Sequence, residues 1–348
     1  LLAELRLLNN IVLVNRIVIK NMYNMYNQSD LKKIVNSALV NLTYNTKSDR
    51  LIDPVKYVLS MGGKRMRPVL ALMACNLFSD KIDDAVIPVA GLEVFHNFTL
   101  VHDDIMDNAP VRRGFPTVHA KWNVNQAILS GDVMAFITNE CFLQSPSHLL
   151  AKVLRVFNKA AIEVCAGQQL DMDFEKATIV TQDEYIQMIE LKTAVLIAAS
   201  VKIGAIYGGA DDRDAEMLYE YGKNLGLAFQ IQDDILDVFG DMKLFGKTAG
   251  GDIIEGKKTF LYVRASEAGS LDQRKKLQDL YLSDSFEPAE KVKMVTEIYD
   301  LLNIKFLSEK VVADYLKNAL GFLEKVNIAQ ERKEVLIRMT FSLAGRDH

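Results

Sequence analysis

Two stretches of the chain carry one acidic pattern, Asp103-Asp104-Ile105-Met106-Asp107 and Asp233-Asp234-Ile235-Leu236-Asp237. Each sets carboxylates at i, i+1 and i+4. On an α-helix, i and i+4 share a face one turn apart, and i+1 lies about 100° round the axis. Asp103 with Asp107, and Asp233 with Asp237, therefore form two-carboxylate claws. Like charges at this spacing repel and destabilise the helix unless a cation neutralises them. Hard oxygen ligands of this kind favour Mg²⁺, which is usually held by one or two carboxylates together with substrate phosphates. A solvated acidic face would explain one copy. Asp83-Asp84 and Asp211-Asp212 are also acidic pairs, but Ile87 and Ala215 occupy their fifth positions, so neither is a claw. Two complete copies in apolar surroundings point to chemistry.

A diphosphate site also needs arginine and lysine, and they occur where a phosphate would lie. Gly62-Gly63-Lys64-Arg65-Met66-Arg67-Pro68 combines a glycine pair, a basic cluster and a helix start. Glycines let the backbone approach phosphate, and free N–H groups with Lys64 and Arg67 would grip it. Alone, such a cluster is more often a solvated turn. Arg112-Arg113-Gly114 follows the first claw closely enough to reach back over it. Gly246-Lys247-Thr248 and Gly256-Lys257-Lys258-Thr259 flank the second claw, and neither has the GxxxxGK[ST] form of a phosphate loop. His96 lies two turns before Asp103; by itself it would be an ordinary core or surface histidine.

The elements that must hold these groups read as helices. All seven prolines lie at 54, 68, 88, 110, 116, 146 and 288, so residues 147–287 contain none. Apolar residues there recur at helical spacing, as at Ile186, Ile189, Leu196 and Ile197. Thr181-Gln182-Asp183-Glu184 reads as a capping box opening a helix toward Ile206. Pro68 suits the first turn of a helix over Val69–Phe78. Val86–Asp107, Asn123–Phe142 and Met217–Val238 read as further long helices, and Phe239–Gly256 as the one substantial loop of the second half. No convincing strand series or repeat emerges. The expected fold is all-α, with one domain over residues 26–348. Both claws then sit at helix C-termini, where the macrodipole disfavours extra carboxylates and strengthens the case for metal. If the two helices pack side by side in parallel, the claws meet at one mouth above an apolar cavity.

Size and composition set the outer bounds. At 348 residues, 49% hydrophobic and 25% charged, the chain can bury a large core as an ordinary globular protein. A net charge of −4 gives no reason to expect nucleic-acid binding. Cys75, Cys141 and Cys165 show no CxxC spacing and read as buried, reduced thiols of a cytoplasmic protein. Ile11–Ile19 is apolar but interrupted by Asn15 and Arg16, too short and broken for a transmembrane segment. Met22 or Met25 could be the natural start, which would make residues 1–25 an N-terminal extension.

In order along the chain, GGKRMRP, DDIMDNAPVRRG, GQQLD, the Lys192-Thr193 pair, FQIQDDILD and the trailing GK and GKKT closely resemble the trans-type isoprenyl diphosphate synthases. The resemblance runs from about Leu51 to Thr259. It implies an isoprenoid synthase helical bundle around a deep central cavity, usually a homodimer. The implied reaction joins isopentenyl diphosphate head-to-tail to an allylic diphosphate and releases pyrophosphate. Carried over residue by residue, Asp103 and Asp107 would bind two Mg²⁺ ions and Asp233 a third, with Asp104, Asp171 and Asp237 as auxiliary acids. Lys64, Arg67, His96 and Arg113 match the grip on isopentenyl diphosphate. Arg112, Lys192, Lys247 and Lys257 match the grip on the allylic diphosphate, and Thr193 and Gln230 the oxygens that face the allylic carbocation.

Residues below the first claw would set product length. Phe98 lies five before Asp103, about 7–8 Å deeper at 1.5 Å per residue. Thr99 is small, and Phe95 stands one further turn down. An aromatic at Phe98 resembles the short-chain enzymes, which favours a fifteen- or twenty-carbon product, geranylgeranyl slightly ahead. Simple core packing of Phe95 and Phe98 is the plainer alternative, and a long-chain polyprenyl synthase the alternative function. A terpene cyclase would normally carry a different second motif from DDILD, and a non-catalytic partner subunit would tend to lose claw residues.

Overall fold

The computed structural model describes residues 25–44, 46–240, 250–283 and 285–344. The expected N-terminal extension therefore lies, but for residue 25, outside the described residues. The described chain is helical almost throughout: α1 (Gln28–Val40), α2 (Asp49–Ser60), α3 (Met66–Phe78), α4 (Asp83–Met106), a two-stranded ribbon of β1 (Val111–Arg112) and β2 (Phe115–Pro116), α5 (Val118–Lys121), α6 (Val124–Phe142), α7 (Ser147–Lys176) and α8 (Gln182–Ile189). A π-helical turn at Glu190–Ala194 leads into α9 (Val195–Gly208). Then come α10 (Asp212–Phe239), α11 (Gly251–Ile254), α12 (Phe260–Ala268), α13 (Leu271–Leu282), α14 (Pro288–Leu301), α15 (Ile304–Glu324) and α16 (Gln330–Ala344).

Local chemistry accounts for the helix starts. Thr181 Oγ1 accepts the Glu184 N–H while the Glu184 carboxylate accepts the Thr181 N–H, the reciprocal cap expected from the sequence. The acidic pairs that are not claws turn out to be helix openings. Asp211 Oδ1 accepts the Asp214 N–H at 2.7 Å, so α10 begins well before Met217. Asp83 and Asp84 occupy the first turn of α4, where the macrodipole favours carboxylates.

The centre of the bundle is α9, Val-Leu-Ile-Ala-Ala-Ser-Val over its first two turns, buried on every side as an all-round apolar helix must be. It packs against α3, α4, α7 and α10, while α6 covers α4 and α15 covers α10. The two claw helices, α4 and α10, are therefore not laid side by side; α9 runs between them. One continuous apolar core reaches from Leu31 in α1 to Leu343 in α16. Among the described helices α4 is long and apolar enough to span a membrane by length and composition, yet 61% of its apolar window is buried inside the bundle. Cys75 and Cys141 are buried as expected, but Cys165 is exposed. It stands about 100° round α7 from the buried stripe of Val153, Phe157, Ala160 and Val164.

Candidate active site

The first claw lies at the last turn of α4, with Asp107 as its C-cap. Three cations from other elements close over it. Lys192 Nζ reaches Asp103 Oδ1 at 3.4 Å and Asp171 Oδ2 on α7 at 2.5 Å. Arg112 donates through Nε to Asp104 Oδ1 at 2.6 Å and lies 3.6 Å from Asp103 Oδ2. Lys257 Nζ stands 3.6 Å from Asp107 Oδ2. Burial raises the Asp107 carboxyl, and the neighbouring Asp103 adds to the rise. Burial alone would lower the Lys192 ammonium, but Asp103 and Asp171 more than offset it, so its pKa lies above the ordinary lysine value. Asp104 is buried and faces away from the claw, so it serves to hold Arg112.

The second claw is built on the last turns of α10. Asp237 Oδ2 accepts the Asp252 N–H at 3.0 Å and its carbonyl accepts the Gly250 N–H at 2.7 Å, which ties the start of α11 to the claw. Asp233 shares the Asp237 face one turn earlier. Lys247 falls outside the described residues. Asp252, absent from the sequence reading, adds a half-buried carboxyl whose pKa is raised by desolvation and by Asp237 and Asp234. Nothing in its surrounding residues distinguished it from a loop acid.

Between the claws the π-helical turn presents Lys192 and Thr193 side by side. Its backbone passes so close to α7 that a Cβ on Gly167 would stand 2.2 Å from Lys192 N. On the other side a Cβ on Gly226 of α10 would meet Ala194 Cα at 2.6 Å. Thr193 Oγ1 donates to Gln230 Oε1 at 3.0 Å, and Gln230 Nε2 donates to Asp234 Oδ1 at 3.1 Å. Asp234 Oδ2 accepts from Tyr185 Oη at 2.5 Å and from the Phe260 N–H at 3.1 Å. Burial pushes the Asp234 carboxyl up to about 7, although all three donors act in the opposite direction. Tyr185 and Asp234 were not singled out in the sequence; the i+1 position of the pattern, aimed off the claw face, was the available sign.

The basic loop forms a second group. Arg113 Nη1 donates to Gly62 O at 2.6 Å, which joins the ribbon to the glycine pair. Lys64 lies over the Phe229 ring at 5.4 Å. Arg67 has a buried Nε with no hydrogen-bond partner, and burial lowers its pKa to about 10, still charged at neutral pH. His96 is held well below the usual histidine value by burial and then by Arg67, Arg113, Arg112 and Arg65, so it is neutral. Arg67, His96 and Arg113 thus belong to one basic face, while Lys64 reaches over to α10. Arg65, between two of them in sequence, has turned inward. It is only 4% exposed at φ 51°, pairs with Glu93 at 2.8 Å, and donates to Asn36 and to the Leu59 carbonyl.

Below the first claw, Phe98 is half-buried and packs against His102 at 4.8 Å and Phe95 at 5.4 Å between ring centroids. Phe95 meets Phe157 of α7 edge-on at 5.1 Å, and Phe157 meets Phe142 of α6 at 4.7 Å. The two facing helices thus complete an aromatic layer begun on α4. Thr99 donates its hydroxyl to the His96 carbonyl at 2.8 Å and offers only its methyl group beyond.

The donor set suits Mg²⁺, being carboxylate oxygen on both claws. Among the described residues no three acid or imidazole side chains already stand in ligating positions, because Lys192, Arg112 and Lys257 lie across the carboxylates. Diphosphate would draw those cations off the acids and leave the oxygens to metal.

An all-helical bundle with two carboxylate claws and a ring of lysine and arginine above an aromatic layer defines a protein that handles diphosphate esters of apolar chains. The polyprenyl synthetase family model matches residues 48–300, and the chain belongs to that family, as a prenyltransferase of the trans-isoprenyl diphosphate synthase type. It is 42% identical over 257 residues to the short chain isoprenyl diphosphate synthase of Methanocaldococcus jannaschii, covering 74% of this chain and 78% of that one. With the geranylgeranyl diphosphate synthase of Methanosarcina mazei it shares 38% identity over 306 residues, 87% of this chain and 89% of the other. The crystal structure of geranylgeranyl pyrophosphate synthetase from Pyrococcus horikoshii superposes with a TM-score of 0.85 at 32% identity, covering 92% and 98% of the two chains.

Proposed function

We propose that this chain condenses isopentenyl diphosphate head-to-tail with an allylic diphosphate, giving an all-trans product of fifteen or twenty carbons and pyrophosphate. The observation that carries this reading is the set of ion pairs on the first claw. Lys192 and Lys257, from the half of the chain that holds the second claw, reach Asp103 and Asp107, and Lys257 follows the short helix whose start is hydrogen-bonded to Asp237, which supports a common site for both acid motifs. Residues 26–348 act as one domain. Asp103 and Asp107 would hold two Mg²⁺ ions and Asp233 a third, with Asp104, Asp171 and Asp237 positioning the cations and the α11 backbone around them.

The allylic diphosphate is gripped by Arg112, Lys192, Lys257 and Lys247. As its C–O bond breaks, negative charge grows on the leaving diphosphate, and these fixed cations stabilise it as it forms. Bound Mg²⁺ would supply further Lewis-acid stabilisation of the same oxygens. Thr193 Oγ1 and Gln230 Oε1 turn oxygen toward the carbocation, and the apolar bundle keeps water from it. Lys64, Arg67, His96 and Arg113 hold isopentenyl diphosphate so that its double bond attacks the cation. A new C–C bond forms, and the departing pyrophosphate takes the proton lost from the neighbouring carbon. Phe98 and Phe95, closed from below by Phe157, form the floor that ends elongation.

Exposed Leu129 and Phe136 on α6 and Leu143 at its C-cap, spaced by seven and 55%, 69% and 56% accessible, support a homodimer across that helix. The three free thiols support a reducing, cytoplasmic setting. Purified protein given labelled isopentenyl diphosphate, separate allylic primers and Mg²⁺ should yield a chain-extended diphosphate, and chelator or Asp103→Ala should abolish it. Release of a hydrocarbon without consumption of isopentenyl diphosphate would overturn the reading in favour of a cyclase. No turnover with any primer would overturn it in favour of a non-catalytic subunit.

A further inference from the structure

Tyr185 and Asp234 lie outside both claws and both diphosphate grips, yet they form a fully buried polar pair at the centre of the second half, each 3% exposed. Burial of an ionisable carboxyl among apolar helices is costly, so what it accomplishes there calls for an account. Its two oxygens are divided between elements. Oδ2 takes Tyr185 Oη from α8 and the Phe260 N–H that opens α12; Oδ1 takes Gln230 Nε2 from one turn earlier on α10.

This division decides which way the Gln230 amide points. With Oδ2 already taken by Tyr185 Oη and the Phe260 N–H, Oδ1 accepts from Gln230 Nε2, which turns the amide oxygen to the opposite side. There Oε1 receives the Thr193 hydroxyl at 3.0 Å. Were the amide reversed, its NH₂ would face the allylic carbon, and the positive end of its dipole would oppose a developing carbocation. With the orientation found, the negative end faces it. Tyr185 holds the carboxylate plane together with the Phe260 N–H: its ring is wedged beside Phe260 at 6.1 Å, and its hydroxyl makes the shorter of the two bonds to Oδ2, leaving Oδ1 for Gln230.

We infer that Tyr185 and Asp234 are positioning residues that lock the Gln230 amide with its oxygen toward the allylic carbon, so that Tyr185, which touches no substrate, sets the rate of ionisation. This rests on the function proposed above, through the place it gives Gln230 and Thr193. Since the ground state carries no carbocation, loss of the lock should lower kcat and leave binding of both diphosphates nearly unchanged.

The test is a double-mutant cycle on the full chain. Tyr185→Phe removes one hydroxyl and keeps the ring; it should lower kcat about ten- to a hundred-fold, with KM for both substrates within about threefold. Gln230→Ala should lower kcat to a similar degree. In the Gln230→Ala background, Tyr185→Phe should then cost less than about twofold, because the group through which it acts is gone. Equal losses from Tyr185→Phe in both backgrounds would show that it merely supports the fold and would overturn the inference, whatever its effect on melting temperature. An unchanged kcat for Gln230→Ala would instead overturn the placement of the allylic site itself. If Tyr185→Phe does not fold, Asp234→Asn enters the same cycle, with the same two outcomes read the same way.

Discussion

At the residue scale, charge and burial work against each other throughout the site, and the histidine shows it most plainly. His96 is neutral because burial and the arginines around it disfavour its proton. In the unfolded chain the same imidazole titrates near about 6.5. Below that value the unfolded state binds a proton that the folded state refuses, so stability is lost as pH falls through it. Wild-type protein should therefore lose up to about 1.4 kcal/mol per pH unit below the unfolded value from this group alone. Melting curves of wild type and His96→Gln between about pH 7.5 and 5.5 check it: the wild type should fall further. Parallel decline of the two proteins would show that His96 is not the group responsible. The composition of this basic face could be read from the sequence, but the inward turn of Arg65 could not. A positive φ at one arginine and its pairing with Glu93 depend on where α1, α2 and α4 come to lie.

At the scale of the element, the π-helical turn is the departure from expectation with the largest consequence. Its sequence, Glu-Leu-Lys-Thr-Ala, is ordinary helix, and the capping box that begins at Thr181 opens an ordinary helix. Only the pressure of α7 and α10 on either side distinguishes it, and a one-residue bulge of this kind leaves no compositional mark. The bulge lets Lys192 reach Asp103 and Asp171 while Thr193 meets Gln230. Gly167→Ala should force α7 and the turn apart, since its Cβ would lie 2.2 Å from Lys192 N. We expect a stability loss of about 1–3 kcal/mol with a disproportionate fall in kcat. Differential scanning calorimetry beside steady-state kinetics measures both, and full activity in a destabilised protein would mean that the turn does not need its present position. Gly226→Ala, pressing on Ala194 from α10, should act in the same direction.

Across the whole molecule, two features reach beyond a single element: one joins helices distant in sequence, the other faces outward for a second copy. The aromatic layer runs from Phe98 and Phe95 on α4 to Phe157 on α7 and Phe142 on α6. Phe98→Ala should open space beneath the allylic tail, where each added CH₂ gains about 0.8 kcal/mol on burial. Products longer than the wild type's are expected by chromatography, with thermal melting run alongside because a buried Phe→Ala costs about 3–5 kcal/mol and this side chain is only half-buried. A folded variant with an unchanged product would place the floor at Phe95 or Phe157. The second feature is the Leu129, Phe136 and Leu143 stripe along α6 and its C-cap. For the homodimer proposed above, Phe136→Glu should convert dimer to monomer by placing charge at the centre of this exposed apolar stripe. Sedimentation analysis checks this, and a wild type that is already monomeric at micromolar concentration would remove the basis for the dimer.

Read alone, the sequence determined the helical class, the capping box at Thr181, both acidic patterns, the basic clusters and the family. Each of these rests on short-range spacing: i and i+4 acids, an N-cap with its partner three residues on, apolar residues at the helical period. The tertiary structure decided how these local features meet. It set α9 between the claw helices rather than laying them side by side, brought Lys192 and Lys257 from the second half of the chain onto the first claw, turned Arg65 and Asp234 inward, and closed the aromatic layer with Phe157. A helical period specifies the face on which a side chain stands, but not the helix that will face it. That choice depends on the packing of the whole core, where small residues such as Gly167 and Gly226 permit close approach and bulkier neighbours forbid it.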